Sequence, residues 1–197
     1  MKWQFVLLLI FVLCAPSVAQ KNNSDLEKSF PKISLAVSNG SNNFTSWLGL
    51  MAEVSPIKNI AVLGGIGYGP WGVKSSVGLR YYQKYAKGIY YTLSFSSCNG
   101  KKNDTLSLET YTSNTIKTQD VIFDLNKART LNVSVGYSWQ LSKSLRFTFD
   151  LGYSLPLNVN PYEIKTKDII LTESSKQSID YMAPGGFIFG VAFSIGL

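Results

Sequence analysis

The sequence contains no histidine. That one absence removes Ser-His and Asp-His nucleophilic catalysis and every histidine metal site. Cysteine is scarce: Cys14 falls in an amino-terminal apolar run and Cys98 stands alone in the rest of the chain, which without that run cannot close an internal disulfide. Long apolar runs are missing too. The run from Phe5 to Ala15 is about eleven residues, short of the roughly twenty a helix needs to cross a bilayer, and no later segment approaches that length. A Gly-rich phosphate loop is absent, because Gly64-Gly65-Ile66-Gly67 lies inside an alternating pattern with no helix after it. Those glycines are expected to allow close packing or curvature, and no cofactor or metal is expected.

What is present at the amino terminus reads as an export signal: Lys2, the apolar run, then Ser17-Val18-Ala19 as a small-x-small cleavage site. The expected organisation is a leader over 1–19, a short periplasmic segment over 20–31 and one β-barrel domain over 32–197. A lipid-modified Cys14 is disfavoured by Leu13, where such sites carry a small residue. Removing 1–19 takes away Lys2 and no acid, so the formal charge falls from +7 to +6.

The closing segment GGFIFGVAFSIGL alternates strictly, with Phe187, Phe189, Val191, Phe193, Ile195 and Leu197 on one face and small residues on the other. Period two means a strand. The same pattern in register predicts eight strands, over 32–39, 44–54, 59–69, 73–82, 88–97, 130–140, 144–155 and 186–197. Connections alternate between hairpin-sized turns (56–58, 83–87, 141–143) and long excursions, as in outer-membrane barrels with short periplasmic turns and long outer loops. Within the first excursion, Thr105 to Thr112 and Thr118 to Leu125 also alternate and can extend the wall as a hairpin. The fold class is all-β: an eight-stranded antiparallel up-and-down transmembrane β-barrel.

A soluble lipocalin-like ligand-binding barrel is the architectural rival. Its outer wall would be dense in Lys, Glu and Asp, whereas here the non-apolar face is mostly Gly, Ser, Ala and Thr. Such a face suits the narrow lumen of an eight-stranded barrel, where side chains fill the space.

With its export signal, the hairpin WLGLMAEVSPIKNIAVLGGIGYGP, the Gly-Leu-Arg-Tyr-Tyr segment at 78–82 and the terminal GVAFSIGL, the chain resembles the small outer-membrane β-barrel domain proteins of Gram-negative bacteria, the OmpA-like eight-stranded barrels. The resemblance covers nearly all of the mature chain and is specific for architecture rather than activity. It implies insertion by the outer-membrane assembly machinery. One departure is Leu197, where such barrels commonly end on an aromatic; recognition then rests on Phe193 and Ile195. Enzymes on related barrels typically depend on His, so the resemblance does not extend to them.

Four charged residues fall on the luminal face. Glu53, Arg80 and Arg146 each lie near a short turn and are expected to form one ionic layer, with Asp150 about one layer further out. The layer reads as a structural plug, with a gate or narrow ion path as the alternative. Trp and Tyr favour membrane interfaces: Phe44, Trp47, Tyr68, Trp71, Tyr153 and Phe187 are placed at the outer ends, and Tyr81, Tyr82, Tyr85 and Trp139 at the inner ends. Lys58, Lys84, Lys87 and Lys143 sit in short turns without an acid among them, facing lipid phosphates rather than nucleic acid. Sequons at Asn22, Asn39, Asn43, Asn103 and Asn132 carry little information in a bacterial chain. The expectation is a monomeric, non-enzymatic barrel in contact with outer-membrane lipids, acting through its long loops on an extracellular partner, with a narrow porin-like channel as the rival.

Overall fold

A computed structural model describes residues 30–84, 87–112, 115–158, 162–166 and 169–197. The expected leader, residues 20–29 of the following segment and Tyr85 lie outside the described residues. In chain order the elements are β1 (Ile33–Ser41), β2 (Leu48–Ile57), β3 (Ile60–Gly69), β4 (Gly72–Lys84), β5 (Lys87–Cys98), β6 (Lys101–Thr112), β7 (Thr115–Leu125), β8 (Ala128–Gln140), β9 (Leu145–Pro156), β10 (Tyr162–Ile164), β11 (Ile170–Leu171), α1 (Glu173–Met182) and β12 (Gly186–Gly196).

Eight of these strands close a barrel in the order β1-β12-β9-β8-β5-β4-β3-β2. Every neighbouring pair is antiparallel, and closure is made by β12 on β1, from Ser34↔Gly196 to Ser41↔Phe189. A closed sheet leaves no open edge, so the backbone of the wall is bonded within the wall. Strand ends fall within two residues of those read from the alternation, except in β2. That strand begins at Leu48 rather than 44, because the chain from Asn42 to Trp47 turns into the barrel, and it carries a bulge between Val54 and Ile57 near its other end.

The two faces of the wall are inverted relative to a water-soluble barrel. Outward-pointing Leu50, Ile66, Leu79, Leu93, Val133 and Phe193 are exposed, while inward-pointing Ser34, Ser76, Ser94, Asn132, Arg146 and Ser194 are buried. The lipocalin arrangement needs the opposite assignment, apolar inside and charged outside.

Both long excursions leave the same end of the barrel and fold together. They form a second sheet, in the order β10-β7-β6-β11, with α1 packed against it. We call this the cap end and the opposite end, with its short hairpin connections, the turn end. The Thr105–Thr112 and Thr118–Leu125 alternation does become a hairpin, β6–β7, but as part of this second sheet and not as an extension of the barrel wall. The second excursion supplies β10, β11 and α1, a helix the alternation did not predict. Among the described residues no helix is long and apolar enough to cross a membrane.

Candidate functional site: a filled lumen beneath a folded cap

The lumen at the turn end is closed by one ionic layer. Arg80 on β4 donates from Nη1 to Glu53 Oε2 at 3.2 Å, and Arg146 on β9 donates from Nη1 to Oε1 at 3.0 Å and from Nη2 to Oε2 at 2.8 Å. Tyr82 Oη donates to the same carboxylate, 2.8 and 2.9 Å from its two oxygens, and accepts from Arg146 Nη1 at 2.7 Å. The register places Thr92 opposite Arg80, whose Nε donates to Thr92 Oγ1 at 3.1 Å. Asp150 stands further off, its Oδ2 at 3.9 Å from Arg80 Nη2, and accepts a long bond from Ser134 Oγ at 3.4 Å. The structure thus brings Glu53, Arg80 and Arg146 into direct contact, with Asp150 at the margin.

Aromatic faces complete the layer. The Arg80 guanidinium carbon lies 4.2 Å from the Tyr90 ring centroid, and that of Arg146 lies 4.6 Å from the ring of Phe30, just ahead of β1. Removing these charges from water costs several kcal/mol per ion. Here the cost is offset because one carboxylate serves two guanidiniums and a phenol, each through short charge-assisted bonds. Glu53 is therefore occupied as an acceptor on both oxygens, and the arrangement fills and rigidifies space. Tyr90 and Phe30 were not identified from the sequence, although Tyr90 shares its strand face with Thr92 and so was legible from parity.

Above this layer the chain plugs its own barrel. Residues 43–45 dip inward from the β1–β2 connection, with Asn43 and Thr45 buried. Asn43 Oδ1 accepts from Thr45 N at 3.1 Å, a tight local turn. Ser38 and Thr45 bond through their hydroxyls, and Lys74 Nζ donates to the carbonyls of Asn42 at 3.2 Å and Asn43 at 2.6 Å. Phe44 packs with Ala36, Met51, Leu63 and Ala192 in the middle of the lumen. The glycines of β3 receive this segment: a Cβ on Gly67 would stand 1.8 Å from Thr45 O, and one on Gly65 would stand 2.8 Å from Phe44 Cε1.

Three aromatic assignments are corrected by these positions. Phe44 is not an outer-end interface residue, because its segment turns into the lumen before β2 begins. Tyr82 points inward with Arg80, as its even parity on β4 requires, and is fully buried. Trp71 is buried in the cap core, where Nε1 donates to Asn126 O at 3.0 Å. Trp47, Tyr68, Tyr153 and Phe187 are exposed at the cap end and Tyr81 at the turn end. Trp139 is half-buried in an outward-facing ladder, 4.5 Å from Tyr137 and 5.5 Å from Phe147 between ring centroids.

The cap has its own apolar core. Val121 and Phe123 on β7, Leu108 on β6, Leu171 on β11 and Ile179 on α1 pack with Trp71 and Cys98 from the barrel rim. Thr172 caps α1, its side chain accepting from Ser175 N. Asp124 ties the hairpin to the second excursion: Oδ1 accepts from Asn103 N at 3.0 Å and Oδ2 pairs with Lys165 Nζ at 3.3 Å. The Asn103 amide, with Lys165 second, holds the Asp124 carboxyl below the usual carboxylate range. Burial pushes the Tyr162 phenol up. A cavity of about 40 Å³ lies where Tyr181, Met182 and Pro184 meet Trp47, Trp71 and Lys74, well below the roughly 300 Å³ at which ligand pockets begin. Among the described residues no cluster of three His, Cys, Asp or Glu could hold a metal ion.

A closed, eight-stranded antiparallel barrel with a polar lumen filled by side chains is the class of protein this geometry defines. The chain superposes on the crystal structure of the N-terminal β-barrel domain of Pseudomonas aeruginosa OprF with a TM-score of 0.48 and 10% sequence identity, covering 85% of this chain and 98% of that one. No protein-family model matches the sequence, and no curated protein matches it.

Proposed function

We propose that this protein is a non-enzymatic integral outer-membrane barrel, inserted with its turn end toward the periplasm and its cap outside, and that it acts through the cap on an extracellular partner or on envelope structure. One observation carries the reading: the outward face is a continuous belt of exposed aliphatic and aromatic side chains, while the charged and hydroxyl-bearing side chains are buried inside. A soluble monomer rarely exposes an apolar patch larger than a few hundred Å², whereas a lipid-facing wall needs one. The Arg-Glu-Tyr layer, the Phe44 plug and Phe30 support a lumen that is closed rather than conducting.

The test has two arms. Purified protein should enter the detergent phase on extraction and migrate faster unheated than heated on a denaturing gel; recovery in the aqueous phase overturns the membrane reading. In planar bilayers it should give no stable openings. Ion-selective openings that disappear in Arg80→Ala would replace the plug with a channel. Exchanging the cap segments 99–127 and 157–185 for short turns should leave the barrel heat-modifiable while abolishing surface binding.

A further inference from the structure

We infer that the turn end carries a lysine collar that binds the phosphate groups of anionic phospholipids in the leaflet it faces, an inference that rests on the membrane reading above. Lys32 stands ahead of β1, Lys58 joins β2 to β3, Lys84 and Lys87 flank the β4–β5 turn, and Lys143 joins β8 to β9; all five are exposed. In the spatial strand order these places are distributed around the barrel rather than gathered on one side. No Asp or Glu side chain is exposed at this end among the described residues: Glu53 is buried, Asp150 faces the lumen beside Arg80, and the remaining described carboxylates lie in the cap.

Each position also has an exposed apolar neighbour at the edge of the belt. Ile33 follows Lys32, Ile57 precedes Lys58, Leu141 stands two residues before Lys143, Ile89 stands two residues after Lys87, and Tyr81 lies on the outer face of the strand that ends in Lys84. That pairing suits a side chain whose stem lies along acyl chains while its ammonium reaches the phosphate level. Distribution around the barrel chooses the partner. A rigid glycan strand or an acidic protein would engage one side, whereas a ring of cations at the margin of an apolar belt fits headgroups that surround the barrel. The cap end, where Lys165 pairs with Asp124 and Lys176 with Glu173, shows no such one-signed margin. Each lysine near an anionic surface strengthens binding by about fivefold at low salt.

The experiment uses the mature full-length chain reconstituted in vesicles of equal parts phosphatidylcholine and phosphatidylglycerol, one lipid brominated at a time, with tryptophan quenching as the readout, since Trp139 lies near the turn end. Quenching should be stronger with brominated phosphatidylglycerol, and the preference should fall with added salt. The five-fold Lys→Gln variant should reduce it at least about tenfold, single variants should reduce it in part, and Lys102→Gln with Lys117→Gln in the cap should leave it unchanged. If the five-fold variant fails to fold, the single variants and the salt series decide. Equal quenching by the two lipids, or a preference that survives the lysine changes, overturns the collar. So does lysine-dependent sedimentation with peptidoglycan sacculi without a lipid preference. A chain that inserts into pure phosphatidylcholine and remains heat-modifiable while showing no preference fails the collar alone; one that never inserts fails the membrane reading.

Discussion

Tyr82 on β4 and Glu53 on β2, facing one closed lumen across β3, are joined by a phenol that lies 2.8 and 2.9 Å from the two carboxylate oxygens and also receives an Arg146 N–H at 2.7 Å. Arg80 Nη1 donates to the same phenol at 3.4 Å, so the phenol couples the anion to both of its cations, and the layer acts as a unit. Replacing Glu53 by Gln should leave two buried guanidiniums facing a neutral amide and cost about 3–5 kcal/mol. Tyr82→Phe removes one hydroxyl and should cost about 1–3 kcal/mol. Urea titration followed by heat-modifiable migration measures both; a Tyr82→Phe loss as large as that of Glu53→Gln would mean that the anion is not the centre of the layer.

The plug makes a sharper geometric prediction, because two adjacent stretches of β3 treat a methyl group differently. A Cβ on Gly67 meets the Thr45 carbonyl, whereas one on Gly64, on the outward face, meets nothing within 4 Å. Gly67→Ala should destabilise the barrel by about 1–3 kcal/mol through overpacking, and Gly64→Ala should stay within about 0.5 kcal/mol of the parent. Equal effects in the same urea titration would show that residues 43–45 do not occupy the lumen.

Why one part of this molecule is legible in its sequence and another is not follows from where the side-chain period is enforced. Each wall strand has one apolar and one polar-or-small side, so parity alone assigns Leu79 outward and Arg80 inward; at Tyr82 parity and the aromatic preference for interfaces point opposite ways, and parity wins. The ionic layer was readable because buried charges on one face near three turns must find each other. Phe44 was not readable: it shares the parity of the outward-facing Leu48 and Leu50, and only the backbone, with Asn42 and Ser46 at positive φ (50° and 71°) and the Asn43 turn, takes it out of the strand. The cap was hidden for a related reason. Its core joins residues far apart in sequence, Trp71, Phe123 and Ile179, and no local period announces that two loops share one interior.

That shared interior predicts cooperativity. Phe123 is fully buried between the hairpin and the segment bearing Leu171 and Ile179, so Phe123→Ala should cost the cap about 3–5 kcal/mol. Because the barrel wall is closed without the cap, heat-modifiability should be retained. Limited proteolysis of the variant should then cleave both excursions at similar rates. Protection of β6–β7 with cleavage confined to 162–182 would show instead that the excursions are independent loops.

Asp124 gives the cap a pH response. Its carboxyl, bonded foremost by the Asn103 amide and then by Lys165, is held below the usual carboxylate range. A group whose folded value is depressed stabilises the fold at pH above its unfolded value, and that contribution is lost as the pH falls through the folded value. The tie between the hairpin and Lys165 should therefore be intact at neutral pH and loosen on acidification through and below the ordinary carboxylate range. Amide exchange at Asn103, corrected for the intrinsic dependence of exchange on pH, should accelerate in that window relative to wall amides such as that of Val133. Asp124→Asn should keep an acceptor without the charge, so its Asn103 exchange should no longer change across the window. An unchanged acid response in Asp124→Asn would place the titrating group elsewhere in the cap.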